Sequence, residues 1–217
     1  MAGLIDADFY QIEELLSEEE RIVRDVARRF VNEEFLPRIQ QCFREGSFPM
    51  DLVPRLGELG FLGMTLPAEF GGAGMNSVAY GLVSQELERG DSGLRSFASV
   101  QSSLVMYPIF TFGSEQQKKF WLPCLATAEA TGCFGLTEPD YGSNPSGIIT
   151  RARKENGGYV LNGTKRWITN GSISDVAVVW AKIVSTTNEK TAQVNPRRRV
   201  VGGAMRICMP ISPAATA

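Results

Sequence analysis

Over residues 17–36 apolar side chains recur at helical spacing: Ile22, Val23, Val26, Ala27, Phe30 and Val31 share one side, with glutamates and arginines on the other. Ser17 and Glu20 have the spacing of a capping box, and Pro37 predicts the end of this helix, with a shorter one running on through Cys42. Residues 50–60, MDLVPRLGELG, predict a short helix stopped by Gly60. Residues 61–76, punctuated by Pro67 and glycines, read as a loop. Ser77 can cap a helix in which Ala79, Leu82, Val83, Glu86 and Leu87 form a mostly apolar face. Residues 92–112 are small or apolar with Arg95 as the charged exception, the pattern of a helix packed on most sides. Gly113 closes it, and Ser114 with Gln117 caps the next, EQQKKFWLPCLA.

After Gly132 the period changes. Short runs rich in β-branched and aromatic residues follow, CFGLT, GIITRARK, GYVLNG, KRWIT and DVAVVWAKI, with a hairpin signal at Asn156-Gly157-Gly158. The expected fold class is therefore α+β: an all-α helical domain over residues 1–130, then a partial antiparallel β domain over residues 131–183. Residues 184–217 lack strand alternation and read as an atypical tail, disordered or frameshifted, or as a basic segment for a partner through Pro-Arg-Arg-Arg.

Composition narrows the function classes. A chain of 217 residues with 43% hydrophobic content can build a core, and a formal charge of -2 argues against nucleic acid or an acidic membrane surface as the main partner. No apolar run reaches the length of a membrane span. The acidic start, MAGLIDADFYQIEELL, has neither a basic n-region nor an Arg-rich bias, so cytoplasm is the expected compartment, and the mitochondrial matrix only where a transit peptide is missing. Cys42, Cys124, Cys133 and Cys208 are widely spaced and read as reduced thiols. Histidine is absent, which removes Ser-His and Cys-His machinery; acid–base work falls to carboxylate, lysine, tyrosine or a group from outside the chain.

Candidate chemistry gathers in residues 133–180. Pro139 ends an apolar run, and residues 140–147 are turn formers whose backbone N–H groups can hold a phosphate; an ordinary connecting loop is the other reading, and the residues alone favour it. On a strand, Trp167 and Thr169 would share a face and could address one planar ligand, while a core tryptophan beside a surface threonine is the other reading. Arg95, in its nearly uncharged helix, needs a carboxylate, either from a ligand or from Glu88 or Asp91.

Leu136-Thr137-Glu138-Pro139 followed by Gly142-Ser143, and Asn162-Gly163-Thr164-Lys165 running into Trp167-Ile168-Thr169-Asn170, resemble the flavin-binding β domain of the acyl-CoA dehydrogenase family. The stretch VAYGLVSQELERGDSGLRSFASVQSSLVMYPI at residues 78–109, with CFGLTEP and VVWAK, resembles the glutaryl-CoA dehydrogenases of that family. The resemblance implies FAD as cofactor, lined by Phe134, Gly135, Leu136, Thr137, Gly142, Ser143, Trp167, Ile168 and Thr169. It puts Thr137 at the pyrimidine side of the ring, Ser143 near the pyrophosphate, Trp167 against the isoalloxazine and Thr169 near N5. Arg95, Ser96 and Ser143 are the implied contacts of an acyl-CoA substrate, the first two at its distal carboxylate. The implied activity is the oxidative decarboxylation of glutaryl-CoA to crotonyl-CoA, with an electron-transfer flavoprotein as acceptor; full-length relatives are homotetramers.

The loop Pro139-Asp140-Tyr141-Gly142-Ser143-Asn144-Pro145 departs from the family, which favours Asn or Gly after the proline and Asp after the serine. From about Val184 the likeness stops, where family members continue to a helical domain that bears the catalytic glutamate. No catalytic residue is therefore assigned, Glu138 is read as part of a structural corner, and this polypeptide alone is expected to be inactive. Three functions fit: a glutaryl-CoA dehydrogenase-like enzyme in part, a non-enzymatic flavin or acyl-CoA binding module, and a different short-chain acyl-CoA dehydrogenase in which Arg95 is structural.

Overall fold

The structure, a computed structural model, describes residues 10–155 and 158–184. Helix α1 (Glu18–Phe30), a wide π turn (Val31–Phe35) and α2 (Leu36–Glu45) run on without the expected break at Pro37. A proline has no N–H to give, and its ring crowds the carbonyl one turn back. The chain widens one turn just ahead of it, and the Leu36 N–H donates to the Val31 carbonyl. The same device recurs where α5 (Ser92–Ser99) passes through a π segment (Val100–Met106) into α6 (Tyr107–Phe112), with the Tyr107 N–H on the Ser102 carbonyl immediately before Pro108.

Local capping follows the sequence at two helix starts. Glu20 Oε2 accepts from the Ser17 N–H at 2.8 Å and Ser17 Oγ from the Glu20 N–H at 3.2 Å, and Ser114 with Gln117 repeats the box at α7 (Glu115–Ala126). Helix α3 (Val53–Glu58) ends at Gly60, whose φ of 71° suits glycine. Helix α4 (Ser77–Gly90) is capped by Asn76 and not by Ser77: Asn76 Oδ1 accepts from the Ala79 N–H at 2.9 Å. The Asn76 amide also donates to Glu20 Oε1 at 2.7 Å, a contact with the start of α1 that a serine one position later does not make.

Residues 61–76 are a loop by conformation but part of the core by burial. Phe61, Leu62 and Met64 pack with Phe30, Phe35, Leu56, Leu87 and Phe97, while Leu66 and Phe70 pack with Met106, Ile109 and Leu125. Such burial, at about 25 cal/mol per Å² of apolar surface, is what holds the helices together. Glu86 is buried on the inner face of α4 between Arg28 Nη2 and Arg89 Nε, each at 2.8 Å, so its charge is paired. The run over residues 92–112 is less enclosed than its composition predicts: Leu104, Tyr107 and Phe112 are exposed, opposite a buried side formed by Leu94, Phe97, Val105, Met106 and Ile109.

The helices are followed by strands, as expected: β1 (Gly132–Gly135), β2 (Arg151–Glu155), β3 (Gly158–Asn162), β4 (Val176–Val179) and β5 (Lys182–Val184). β2 and β3 form the predicted antiparallel hairpin, with Glu155 opposite Gly158; its turn at residues 156–157 lies outside the described residues. The other two pairings are parallel, β1 with β4 and β2 with β5. An all-antiparallel arrangement fails here because β1 and β2 both find partners in the later segment over residues 176–184, which passes each of them in the same direction. KRWIT forms no strand. Among the described residues Cys42, Cys124 and Cys133 are free thiols; Cys208 and the expected tail from residue 185 onward lie outside them. Among the described residues no helix is long and apolar enough to cross a membrane.

Candidate functional site

Strand β1 is bolted to the helices by one side chain. Gln101, fully buried in the π segment, donates to the carbonyls of Leu125 at 2.9 Å and Ala130 at 2.8 Å and accepts from the Gly132 N–H at 2.8 Å. The approach is close enough that a Cβ on Gly132 would lie 2.5 Å from Val105 Cγ1, so any side chain there would displace Val105. Further along, Phe134 meets Trp180 edge to face at 6.0 Å, and the Trp180 N–H donates to the Gly135 carbonyl at 3.0 Å. The indole Nε1 of Trp180 is buried without a hydrogen-bond partner among the described residues, an unused donor beside Phe134.

Beyond β1 the chain turns at Glu138, whose side chain is 1% exposed. Its carboxylate accepts from the Ile149 N–H at 2.6 Å, the Thr150 N–H at 2.9 Å and Lys165 Nζ at 2.8 Å. Burial by itself would raise this carboxyl; the hydrogen bonds from Lys165, Thr150 and Ile149 outweigh it and hold the group down at about 2. Burial also lowers the Lys165 ammonium, against the opposing pull of Glu138. Lys165 Nζ donates in addition to the Leu136 carbonyl at 2.9 Å. Glu138 thus has its oxygens spent on holding three segments together, in keeping with a structural corner.

The segment after Lys165 closes on the same corner. The Arg166 N–H donates to the Thr137 carbonyl at 2.9 Å, and the Asn170 amide reaches back to the Gly132 carbonyl at 3.2 Å. Trp167 and Thr169 therefore lie beside β1 and the residues that follow it, but not through a shared strand face. Trp167 has φ of 59° and Asn170 of 63°, conformations that interrupt any ladder. Trp167 is 78% exposed, Thr169 is exposed and Ile168 is half-buried against Cys133 and Ala177. The Cys133 thiol, pushed up by burial, accepts from Ser174 Oγ at 3.2 Å and is a packing group.

Gly142 and Ser143 sit at the exposed outer end of the next loop. That loop is shaped by its own residues: Glu138 and Tyr141 exchange backbone hydrogen bonds, Asn144 accepts from the Gly147 N–H and Ser146 Oγ, and the Tyr141 ring covers Gly147. Tyr141 and Asn144, the latter one of the positions that depart from the family pattern, are the residues that set its shape. Arg95, on α5, gives Nε to Glu88 Oε2 at 2.6 Å and Nη1 to Ser99 Oγ at 3.3 Å, so one of the two intramolecular partners expected for it is the one it has. Ser96 follows on the same helix and its carbonyl accepts from Ser99 Oγ. Sequence reasoning missed Gln101 and Arg166, and it gave Lys165 no role beyond its place in the Asn162-Gly163-Thr164-Lys165 motif. Gln101 was a lone amide in an apolar helix, and such an amide signals buried hydrogen bonds.

Residues 17–129 match the acyl-CoA dehydrogenase N-terminal domain and residues 133–200 the acyl-CoA dehydrogenase middle domain. The chain belongs to the acyl-CoA dehydrogenase family. Among solved acyl-CoA dehydrogenase structures, a glutaryl-CoA dehydrogenase from Mycobacterium smegmatis in complex with FADH2 is 50% identical with a TM-score of 0.79, over 81% of this chain and 45% of that one. A glutaryl-coenzyme A dehydrogenase–glutaryl-CoA complex is 37% identical with a TM-score of 0.76, over 82% of this chain and 45% of that one. The mitochondrial short-chain specific acyl-CoA dehydrogenase of Rattus norvegicus is 40% identical over 76% of this chain and 40% of its own length. The chain thus spans less than half the length of these relatives.

Proposed function

We propose that this chain supplies the helical part, about residues 1–130, and the flavin corner, about residues 131–183, of an FAD-dependent dehydrogenase acting on glutaryl-CoA. The observation that carries the flavin reading is Trp167: a large planar side chain held open to solvent beside β1, at a corner stitched by Arg166 N–H to Thr137 and by Lys165 to Leu136 and Glu138. An exposed indole in a strained backbone conformation is costly unless something planar covers it. The unused Trp180 Nε1 beside Phe134 is a second feature that suits a polar ligand at this edge.

In this reading Phe134, Gly135, Leu136 and Thr137 line one side of the cofactor and Trp167, Ile168 and Thr169 the other, with Gly142 and Ser143 toward the pyrophosphate. FAD, when bound, supplies the acceptor for a hydride from the acyl chain. The chain's own residues bind and orient: the Thr137 and Thr169 hydroxyls offer hydrogen bonds to the ring, and Trp167 excludes water from one face. Arg95 and Ser96 receive the distal carboxylate of the substrate, with Ser143 on its acyl chain. Glu138 takes no part in proton abstraction, since its oxygens are occupied. An electron-transfer flavoprotein as acceptor and a homotetrameric assembly belong to the same proposal.

A second reading, a short-chain acyl-CoA dehydrogenase, is favoured by one contact: the Arg95 guanidinium already has Glu88. The discriminating experiment takes the purified chain and records its visible spectrum after desalting, then perturbs any bound flavin with glutaryl-CoA or butyryl-CoA. Retained flavin that responds to glutaryl-CoA more than to butyryl-CoA, with the preference lost in Arg95→Ala, supports the proposal. Equal responses in both proteins favour the short-chain reading. A colourless chain that takes up no added FAD defeats the flavin assignment.

A further inference from the structure

The Arg166 guanidinium carbon lies 4.4 Å from the centre of the Trp167 ring. Its own backbone is pinned, because the Arg166 N–H donates to the Thr137 carbonyl at 2.9 Å. Trp167, next in sequence, is turned out by a left-handed backbone with φ of 59° and is 78% exposed. An indole so open has little packing to stop it rotating about its side-chain torsions, and each freed rotor costs binding free energy when a ligand must order it. A planar guanidinium laid on one indole face supplies that restraint through the ring quadrupole and through stacking. At this exposure, the face turned away from the arginine is open to solvent.

We propose that Arg166 is a positioning residue for Trp167: it covers one face of the indole, fixes the ring plane beside Thr137, and leaves the opposite face for the flavin. The proposal rests on the flavin reading of this corner. Its chemistry is specific to arginine, because lysine keeps the charge but loses the planar surface. Ligand approach is thereby one-sided, and the cation lies behind the indole and makes no direct contact with the flavin.

The test is a double-mutant cycle on the full chain: unaltered protein, Arg166→Ala, Trp167→Phe and the double variant, with Arg166→Lys as a fifth protein. Both side chains are exposed, so each substitution leaves the core untouched. FAD affinity is measured by titration, and Trp167 mobility by the fast part of the tryptophan anisotropy decay that Trp167→Phe removes. Arg166→Ala is expected to enlarge that fast part and to weaken FAD binding about two- to fivefold, the range of an exposed cation–π contact. In the Trp167→Phe background the same change is expected to do much less, and Arg166→Lys to restore less than half of the loss. An unchanged FAD affinity in Arg166→Ala overturns the proposal, as does an equal loss with and without Trp167, which would mark a direct charge contact. No FAD binding by the unaltered chain defeats the flavin reading itself, and the proposal falls with it.

Discussion

Lys165 Nζ sits 2.8 Å from Glu138 Oε1, a buried ion pair that joins the corner after β1 to the segment bearing Trp167. Because Lys165 also holds the Leu136 carbonyl, its loss frees both ends of that junction at once. Replacing it by methionine keeps the stem and strands a buried carboxylate, at a cost of about 3 kcal/mol. In Glu138→Gln/Lys165→Met the two losses are expected to sum to less than the separate costs, measured by urea unfolding of all four proteins. Strict additivity would show that the pair is not coupled.

Against burial, the hydrogen bonds it accepts hold the Glu138 carboxyl down at about 2, below an ordinary glutamate value of 4.5. A depressed carboxyl contributes stability that is complete above its unfolded value and fades as pH falls through the folded one. The window here is therefore from about pH 4.5 down to about pH 2, and the full contribution is about 3 kcal/mol. Urea midpoints of the unaltered chain are expected to fall more steeply across this window than those of Glu138→Gln. Parallel slopes would assign the acid sensitivity elsewhere.

Gln101→Leu removes three hydrogen bonds and leaves the Ala130 carbonyl and the Gly132 N–H buried without the amide that pairs them, while the Leu125 carbonyl keeps the Ala128 N–H at 3.4 Å. At about 1–3 kcal/mol for each of the two groups so stranded, the loss is expected to exceed about 2 kcal/mol. Thermal unfolding by circular dichroism measures it, and a change under about 1 kcal/mol would mean that water replaces the amide.

Gly132→Ala is expected to cost about 1–3 kcal/mol by driving a methyl group onto Val105. Val105→Ala in the same chain opens that space, so the double variant is expected to unfold at higher denaturant than the sum of the single effects allows. Equal additive losses would locate the strain in the backbone of β1.

Arg95→Ala is expected to shift unfolding by less than about 1 kcal/mol, since the Arg95–Glu88 pair is 37% and 46% exposed at its two ends. A larger loss in chemical denaturation would make the arginine a structural group and remove its claim on a substrate carboxylate.

The helical half was legible wherever a local rule acts alone. Ser17 with Glu20 and Ser114 with Gln117 satisfy their own first turns, and Gly60 stops its helix by backbone conformation. Where tertiary contacts choose between equal local options, sequence fell short. Asn76 caps α4 in place of Ser77 because Glu20 holds its amide, and Pro37 fails to break its helix because one wide turn absorbs it. KRWIT has strand composition, yet the bonds from Lys165 and Arg166 to the β1 corner hold it as a loop in which Trp167 is left-handed. The motif residues Phe134, Thr137, Trp167 and Thr169 were visible as a group; the side chains that bring them together were visible only in three dimensions.

The pairing of β1 with β4 also bears on the order of events as the chain folds. Gly135 and Val176 are separated by about 40 residues, and closing a loop of that span costs entropy before any contact repays it. Helices α4 and α5 follow one another directly in the chain, so they are expected to form ahead of that pairing, with Gln101 then offering β1 a ready anchor. Pulse-labelled hydrogen exchange is expected to show the amides of β4 protected after those of α5. The corner after β1 is on this ground expected to acquire its shape late, and it is where a slow or interrupted folding reaction would first leave the molecule incomplete.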